Sequence, residues 1–389
     1  MKLTALFFLI MFMIGTDTFL ISPMIPTLQD LYGVPTGMSG WMMGSYTLGA
    51  AVFALIAGPL SDGLDRKKVM LLGLLGFAVS TALCGMAGDF WMMCLFRLLA
   101  GISSAFAAPQ VWASIQTLLP AEKKGKAMGL AYAGLAVSQA FGVPIGSWLA
   151  AERWSLPFFA IGVLSLLLAG AAFFILPSMK PQPNAVPSRQ AFCRRYAPLL
   201  GSGRARGAFL AYFLIHLGSN AAFAFLGKWS AERFHLPVDQ IGTIMIFLGV
   251  GNLAGSLVSG YVNNLWTPSR IVAAAVPLLM IGYAALPHLP SFIAASIMYF
   301  AIFFILGILF PMIMGVLNSL NPSLRGTISS TATATMNAAT TVGASLAGLL
   351  YAGSGGYAAV GLFSACCFAA SLLIFGTSRV LAREPVPQA

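Results

Sequence analysis

Apolar residues occur along this chain in long runs that are separated by short polar or charged segments. Twelve such runs are each about as long as the roughly 20 apolar residues that a helix needs to cross a bilayer. They lie near residues 3–27, 39–60, 67–87, 90–116, 127–150, 155–176, 207–228, 239–262, 270–288, 291–317, 327–352 and 357–378. The pattern predicts an all-α integral membrane protein with twelve transmembrane helices.

The second half of the chain repeats landmarks of the first half. Gly58 and Asp62, between the second and third runs, correspond to Gly260 and Asn264 between the eighth and ninth runs. A repeat of this kind is typical of secondary transporters, which bind their substrates near the midplane between two related halves. We expect two pseudo-symmetric six-helix bundles. The expected division is an N-terminal bundle at 1–176, a cytoplasmic basic linker at 177–206 and a C-terminal bundle at 207–389.

Lysine and arginine are distributed very unevenly between the two sides of the expected bundle. Seventeen lie on the side of the N-terminus, three (Arg153, Lys228 and Arg233) lie on the other side, and Arg97 lies within a run. Because positive residues accumulate in cytoplasmic loops, we expect both termini and the linker in the cytoplasm. The linker contains no acidic residue, which favours contact with an anionic lipid leaflet.

The composition excludes several classes of function. Hydrophobic residues make up 59% of the chain and charged residues 8%, whereas soluble domains contain about 25% charged residues. The net charge of +11 does not indicate nucleic-acid binding, because the positive residues lie in loops beside the membrane. The five cysteines lack metal-ligand spacing, and no run contains paired acids or a Ser–Lys pair. We therefore expect no enzyme activity, no metal and no cofactor.

Two fully charged residues lie deep within the apolar runs. At about 1.5 Å per residue, Asp17 in the first run lies roughly 14 Å and Arg97 in the fourth run roughly 10 Å below the outer surface. A charge at this depth is costly, so such residues face a cavity or each other. One interpretation is a structural ion pair. The other is a proton switch, because burial favours the neutral carboxyl while a nearby arginine favours the carboxylate.

Four short motifs resemble those of the major facilitator superfamily, and more narrowly those of the twelve-helix drug:proton antiporters of bacteria. The matching residues are Asp17, Thr18 and Pro26 in the first run, Gly58, Leu60, Asp62, Arg66, Lys67 and Lys68 in the following loop, Arg97 and Gly101 in the fourth run, and Gly134, Gly142, Pro144 and Gly146 in the fifth. The chain departs from the family pattern at three positions. Gly63 stands where a basic residue is usual, Asp65 stands where glycine is usual, and Val143 separates the usual Gly-Pro pair.

The resemblance implies roles for these residues. Asp17 would carry the proton and Arg97 would modulate it, while Gly58, Asp62 and Arg66 would form a cytoplasmic gate. Asp62 would meet the positive N-terminal end of the eleventh helix as a latch, or it would be a solvated loop charge. Gly142 and Pro144 would let the fifth helix bend against a small-residue surface on the eighth, or would simply pack closely. That surface is expected to contain Gly249, Gly251 and Gly255.

A further set of polar residues lies near the expected midplane and could bind a substrate. The set comprises Gln139, His216, Asn220, Asn252 and Asn337. Polar contacts between helices are common in membrane bundles, so each of these residues has an equally simple structural interpretation. His216 could also be a second proton-binding group.

The hypothesis favoured by these patterns is a monomeric, multi-pass exporter of the bacterial inner membrane. It would use the proton gradient to expel small, partly hydrophobic compounds by alternating access. The alternative is a transporter of a polar metabolite such as a sugar or polyol, which would need more convergent hydrogen-bonding groups than the midplane offers. The expected partners are a small-molecule substrate, protons and the lipid bilayer.

Overall fold

The structure is a computed structural model that describes residues 2–62, 64–179, 196–199, 201–321, 324–353, 356–378 and 380–381. Within these ranges, the side chains of residues 58–62, 121 and 325 are not described. The described residues are almost all helical and contain no strand, which confirms the all-α class. Eleven of the described helical segments are long and apolar enough to cross a bilayer. The expected span at 327–352 is also a helix, Arg325–Gly353, although its many serine and threonine residues make it less apolar.

The helices of the first half follow the expected order. They are α1 (Lys2–Tyr32), α2 (Thr36–Ser39), α3 (Trp41–Asp62), α4 (Arg66–Cys84), α5 (Phe90–Leu118), α6 (Ala121–Val137), α7 (Val143–Glu152) and α8 (Leu156–Ile175). A π-helical turn, Ser138–Gly142, joins α6 and α7 into the fifth spanning segment. The backbone N–H of Val143 bonds to the carbonyl of Ser138, five residues earlier. Pro144 has no N–H to continue the α-helical pattern, and a π turn accommodates that gap.

The described residues of the second half form six long helices. They are α9 (Gly203–Phe234), α10 (Val238–Leu265), α11 (Pro268–Ala285), α12 (Phe292–Ser319), α13 (Arg325–Gly353) and α14 (Tyr357–Thr377). We call the end of the bundle that carries the N-terminus the proximal face, and the opposite end, where α1 and α9 finish, the distal face. The linker expected at 177–206 falls largely outside the described residues.

The two halves pack against each other through backbone at glycines in the distal part of the bundle. A Cβ atom on Gly40 would lie 2.0 Å from the carbonyl oxygen of Ala344, and one on Gly227 would lie 2.2 Å from that of Ser22. Thr47 on α3 adds a hydroxyl contact of 2.8 Å with Thr341 on α13. We call these three contacts the distal seal.

The close contacts between the two halves are unevenly distributed. Helices α5 and α12, which come from different halves, share no extensive packing in the described part of the chain. By contrast, α1 packs on α9 and α3 packs on α13, and the contacts of the distal seal lie in or beside these pairs. Backbone packing between these pairs is therefore closest toward the distal face.

Candidate functional site

Asp17 and Arg97 form an ion pair in the interior of the first half. Nη1 of Arg97 donates a hydrogen bond of 2.8 Å to Oδ2 of Asp17, and both side chains are completely buried. Of the two arrangements expected for charges at this depth, the structure has the one in which they face each other. A buried pair is stable only when its geometry is good and both charges stay ionised, since an unpaired buried charge is costly.

Arg97 also contacts residues of α3 beside the ion pair. Nε of Arg97 donates to the carbonyl of Met42 at 3.3 Å, and its guanidinium lies 4.5 Å from the ring centroid of Tyr46. Among the described residues, Oδ1 of Asp17 and Nη2 of Arg97 have no hydrogen-bond partner. Nη1 of Arg97 thus pairs with the Asp17 carboxylate, beside which Thr81 of α4 also lies. Protonation of the carboxyl would remove the charge that holds Asp17 and Arg97 together.

Gly101 explains how Arg97 reaches this position. A Cβ atom at Gly101 would lie 1.9 Å from the carbonyl oxygen of Tyr46, so α5 and α3 are in backbone contact there. Arg97 precedes Gly101 by one helical turn and therefore lies on the same face of α5. Close approach of the two helices carries the guanidinium to Met42 and Tyr46 on α3.

We expect Gly101→Ala to destabilise the protein by about 1–3 kcal/mol, because the added methyl group must push α5 away from α3. The measurement is the midpoint of thermal unfolding of purified protein in detergent. The control is Gly129→Ala on α6, where an added Cβ would have no atom within 4 Å. Equal midpoints for the two variants would contradict this account of the α3–α5 contact.

Gln139 in the π turn and Asn252 on α10 form a polar contact between the two halves. Nδ2 of Asn252 donates a hydrogen bond of 2.7 Å to Oε1 of Gln139. Beside it, a Cβ on Gly249 would lie 2.3 Å from the backbone nitrogen of Ala140, so the helices touch along their backbones. The structure brings these two expected midplane residues together through one hydrogen bond.

The other midplane residues are separate from this contact. Asn220 donates its amide to the carbonyl of His216 at 2.8 Å, and Asn337 donates to the carbonyl of Thr333 at 3.0 Å. Both bonds run back along the residue's own helix. The ring of His216 is stacked on Phe310 of α12, and its Nε2 has no hydrogen-bond partner among the described residues.

The structure corrects the expected packing of the fifth span. Gly249 does face the π turn, but added Cβ atoms on Gly251 and Gly255 would meet the carbonyls of Phe300 and Phe304 on α12. These two glycines therefore pack inside the second half, and the expectation that they face the fifth span is wrong. The reason is helical geometry: residues two and six positions after Gly249 turn away from the face that Gly249 occupies.

Gly142 and Pro144 pack against two different helices, α1 and α10. A Cβ on Gly142 would lie 2.0 Å from Oγ1 of Thr16, the residue before Asp17, so Gly142 packs on α1. Pro144 lies against Gly242 of α10: its Cα atom would be 3.3 Å from a Cβ atom added to Gly242. The π turn thus connects the helix that carries the buried carboxylate with the opposite half.

Comparison with known proteins identifies the architecture. The family model of the Major Facilitator Superfamily matches residues 7–334 and residues 208–389 of the chain. This protein belongs to the major facilitator superfamily. The uncharacterized MFS-type transporter YceJ of Bacillus subtilis (strain 168) is 46% identical over 373 residues, with 96% of this chain and 95% of that protein covered.

Two further similarities place this superfamily member among transporters. The chloramphenicol resistance protein of Streptomyces lividans is 26% identical, over 71% of this chain and 70% of its own length. The solved structure of the xylose transporter XylE from E. coli, in a partially occluded inward open conformation, has a TM-score of 0.78 at 16% identity and covers 97% of both chains. The chain is therefore a multi-pass membrane protein with the fold of secondary transporters.

The superfamily motif between α3 and α4 is only partly visible. Gly58 and Asp62 belong to the end of α3, but their side chains lie outside the described residues, as does the expected latch between Asp62 and the eleventh helix. The backbone N–H of Arg66 donates to the carbonyl of Met179 at 3.3 Å. The gate assigned to Gly58, Asp62 and Arg66 stays a prediction.

Asp65, a departure from the superfamily motif, has a contact that sequence reasoning missed. Its carboxylate accepts hydrogen bonds from Oγ of Ser178 at 2.6 Å, from the backbone N–H of Met179 at 3.0 Å and from that of Lys67 at 3.0 Å. Partial burial opposes ionisation, but these hydrogen bonds outweigh it and lower the pKa of Asp65. The stabilisation from this contact is therefore fully present at pH values above the ordinary pKa of a carboxyl group. It is lost only as the pH falls through the lowered pKa of Asp65.

We expect Asp65→Ala to release residues 178 and 179 from the α3–α4 turn, because three hydrogen bonds to one carboxylate are lost together. Hydrogen–deuterium exchange at the backbone N–H of Met179, which bonds to the Asp65 carboxylate, should then be several times faster than in the unsubstituted protein. Asp30→Ala, at the exposed distal end of α1, is the matched control. Unchanged exchange at Met179 in Asp65→Ala would show that the carboxylate does not fasten this segment.

Proposed function

We propose that this superfamily member is a proton-coupled exporter of small, partly hydrophobic compounds, and that it works by alternating access. Asp17 carries the proton, Arg97 modulates it, and no cofactor takes part beyond the proton gradient. The observation that carries the proposal is the fully buried Asp17–Arg97 ion pair. A titratable carboxylate inside a membrane protein is a functional site by default.

Coupling between the proton and the conformational change runs along α1. Ser22, which follows Asp17 on this helix, donates a hydrogen bond to the carbonyl of Phe223 on α9. Gly227, in the distal seal, packs on the same segment of α1. Protonation of Asp17 breaks the ion pair and frees α1 to move against α9. Removing one partner of a buried pair costs about 3–5 kcal/mol, which would change the ratio of two balanced conformations by roughly a hundredfold or more.

The midplane polar groups favour a partly hydrophobic substrate over a sugar or polyol. Asn220 and Asn337 are bonded to backbone carbonyls of their own helices, while Gln139 and Asn252 are bonded to each other. A polyhydroxylated substrate needs several convergent groups that are free to bond it. Similarity to a chloramphenicol resistance protein supports the same class of substrate.

The orientation follows from the positive residues. Among the described residues, most lysines and arginines lie toward the proximal face, which we infer to be cytoplasmic, with both termini in the cytoplasm. We propose further that the protein functions as a monomer in the bacterial inner membrane. In that orientation the distal seal closes the outer side, as in an inward-facing conformation.

A proton-flux measurement tests the proposal. Purified protein is reconstituted in liposomes that contain a pH-sensitive dye, and a panel of amphipathic compounds and sugars is added in turn. We expect amphipathic compounds, and not sugars, to cause proton movement. Proton movement driven by a sugar alone, or by no compound in the panel, would contradict the proposal.

A further inference from the structure

A cavity of about 470 Å³ lies at the distal face of the bundle, and every residue that lines it belongs to the second half. It is formed where α9 ends, where a short turn (Leu286–His288) follows α11, where α13 ends and where α14 begins. Small-molecule sites have volumes of about 300–1,000 Å³, so this cavity is large enough for an organic compound. We call it the distal cavity.

Three aromatic residues form one wall of the distal cavity. Trp229 on α9 is stacked on Tyr357 of α14, with ring centroids 4.8 Å apart, and Tyr351 of α13 is in edge contact with Tyr357. The hydroxyl of Tyr357 donates to the carbonyl of Ala222 at 2.8 Å and lies 2.6 Å from the hydroxyl of Tyr299. These contacts hold the rings in place, so the wall is a preformed surface for the apolar part of a ligand.

The one carboxylate that lines the distal cavity already has its partners within the chain. Glu232 accepts a hydrogen bond from the hydroxyl of Tyr351 and pairs with Nζ of Lys228 at 2.9 Å. The ammonium group of Lys228 also lies 5.9 Å from the ring centroid of Tyr351. A carboxylate beside an aromatic ring would suit a cationic ligand, but here Lys228 takes that position.

The charge that is left without a partner in the distal cavity is positive. Arg233 follows Glu232 on α9 and is exposed, and among the described residues its guanidinium has no ion pair. His288 lines the cavity from the turn after α11 and offers a second hydrogen-bond donor. The planar guanidinium group matches the geometry of a carboxylate or a phosphate. The distal cavity therefore favours an anion over a cation.

We propose that the distal cavity binds an organic anion that carries one carboxylate or phosphate group on an apolar body. The anionic group bonds Arg233 and His288, and the apolar body lies beside the aromatic wall. Because the lining residues all belong to one half, this site is separate from the path between the two halves. The inference thus goes beyond the proposed function. Either a phospholipid headgroup of the outer leaflet or a soluble organic anion has the required chemistry.

Three probes test the chemical class of the ligand. 2-Naphthoate has an aromatic body and a charge, 2-naphthamide has nearly the same shape without the charge, and acetate has the charge without the body. Binding is measured by equilibrium dialysis against the full-length protein in phosphatidylcholine nanodiscs, with empty nanodiscs subtracted. We expect 2-naphthoate to bind about tenfold more tightly than either of the other probes. Equal affinities for 2-naphthoate and 2-naphthamide would overturn the inference.

Arg233→Gln assigns the charge-dependent part of the binding to the distal cavity. The affinity for 2-naphthoate should fall about tenfold, while that for 2-naphthamide stays unchanged. Arg153→Gln is the matched control, because Arg153 is an exposed arginine at the distal face of the other half. An equal effect of the two substitutions would indicate attraction by the general surface charge and would contradict a site at Arg233.

Ala358→Leu tests whether the ligand occupies the distal cavity itself. Ala358 is exposed and lines the cavity, so a larger side chain should fill part of it and weaken both 2-naphthoate and 2-naphthamide. Ala352→Leu, at an exposed position near the end of α13, is the control. Unchanged affinity in Ala358→Leu would place the binding elsewhere. If the thermal-unfolding midpoint of Ala358→Leu falls, Arg233→Gln still decides the matter, since it changes an exposed side chain.

Competition with 2-naphthoate distinguishes the two sources of the anion. Short-chain phosphatidylglycerol and glycerol phosphate are added separately. Displacement at a lower concentration of the lipid identifies a phospholipid headgroup, and displacement by both at equal concentrations identifies a soluble anion, while displacement by neither would contradict the inference. The assay uses no gradient, so compound-driven proton movement without binding of 2-naphthoate would refute this inference and leave the proposed function intact.

Discussion

Asp17→Asn is expected to reduce substrate-driven proton movement to the level of empty liposomes while the protein stays folded and inserted. The amide has nearly the shape of the carboxyl group, and its oxygen can still accept the hydrogen bond from Arg97, but it cannot titrate. Without a group that gains and loses a proton, substrate movement is no longer linked to the proton gradient. The measurement compares dye-reported proton flux with uptake of the same compound.

Thr18→Val is the matched control for this substitution. Thr18 is next to Asp17, and its hydroxyl donates to the carbonyl of Ile14 and lies within hydrogen-bond distance of the hydroxyl of Tyr46, but it has no titratable group. Its loss tests whether any disturbance of α1 at this depth uncouples transport. Gradient-driven transport at the unsubstituted rate in Asp17→Asn would rule out Asp17 as the proton carrier and leave the ion pair with a structural role.

Arg97→Ala is expected to shift the pH optimum of transport upward and to lower the rate at neutral pH. Guanidinium keeps its proton at any working pH, so Arg97 acts on Asp17 only through its charge and its hydrogen bond. When the positive charge is removed, the neutral acid is favoured. Asp17 then releases its proton only at higher pH, which slows the cycle near neutrality. Transport rates measured across pH in liposomes report the shift.

Arg97→Lys separates charge from shape at the same position. Lysine keeps the positive charge near Asp17 and Tyr46 but loses the Nε hydrogen bond to the carbonyl of Met42. The pH optimum should therefore stay closer to that of the unsubstituted protein than in Arg97→Ala, although the rate remains lower. An alanine variant whose optimum is unshifted or moves downward would show that the two residues are not electrostatically coupled.

The helices could be predicted from the sequence because each must be long enough to cross the bilayer. The ion pair could be predicted because its two charges lie at the same depth in the bilayer. The apolar runs correspond closely to the helices, since the membrane requires about the same length from each. Asp17 and Arg97 could be paired because only two full charges lie deep in the runs and their depths agree. Neither inference requires knowledge of which helices pack next to each other.

Features that depend on how helices rotate against each other could not be predicted in this way. The π turn at Ser138–Gly142 changes the face on which every later residue of the fifth span lies. Pro144 indicates an interruption of the α-helical hydrogen bonds there, but not that a π turn accommodates it. Gly251 and Gly255 were assigned to the wrong neighbour for a related reason, because composition shows a small surface but not its direction. The Asn252–Gln139 bond is likewise set by tertiary packing. Asp65 carries a detectable signal, since it departs from the motif, but two of its three partners, Ser178 and Met179, are more than a hundred residues away.

The distal seal contains no charged side chain: Gly40 and Gly227 meet backbone carbonyls, and Thr47 meets the hydroxyl of Thr341. Among the described residues, no ion pair joins the two halves. Dissolved salt screens charges but has little effect on close backbone packing or on hydrogen bonds between hydroxyl groups. The distal seal should therefore be equally stable at low and at high ionic strength.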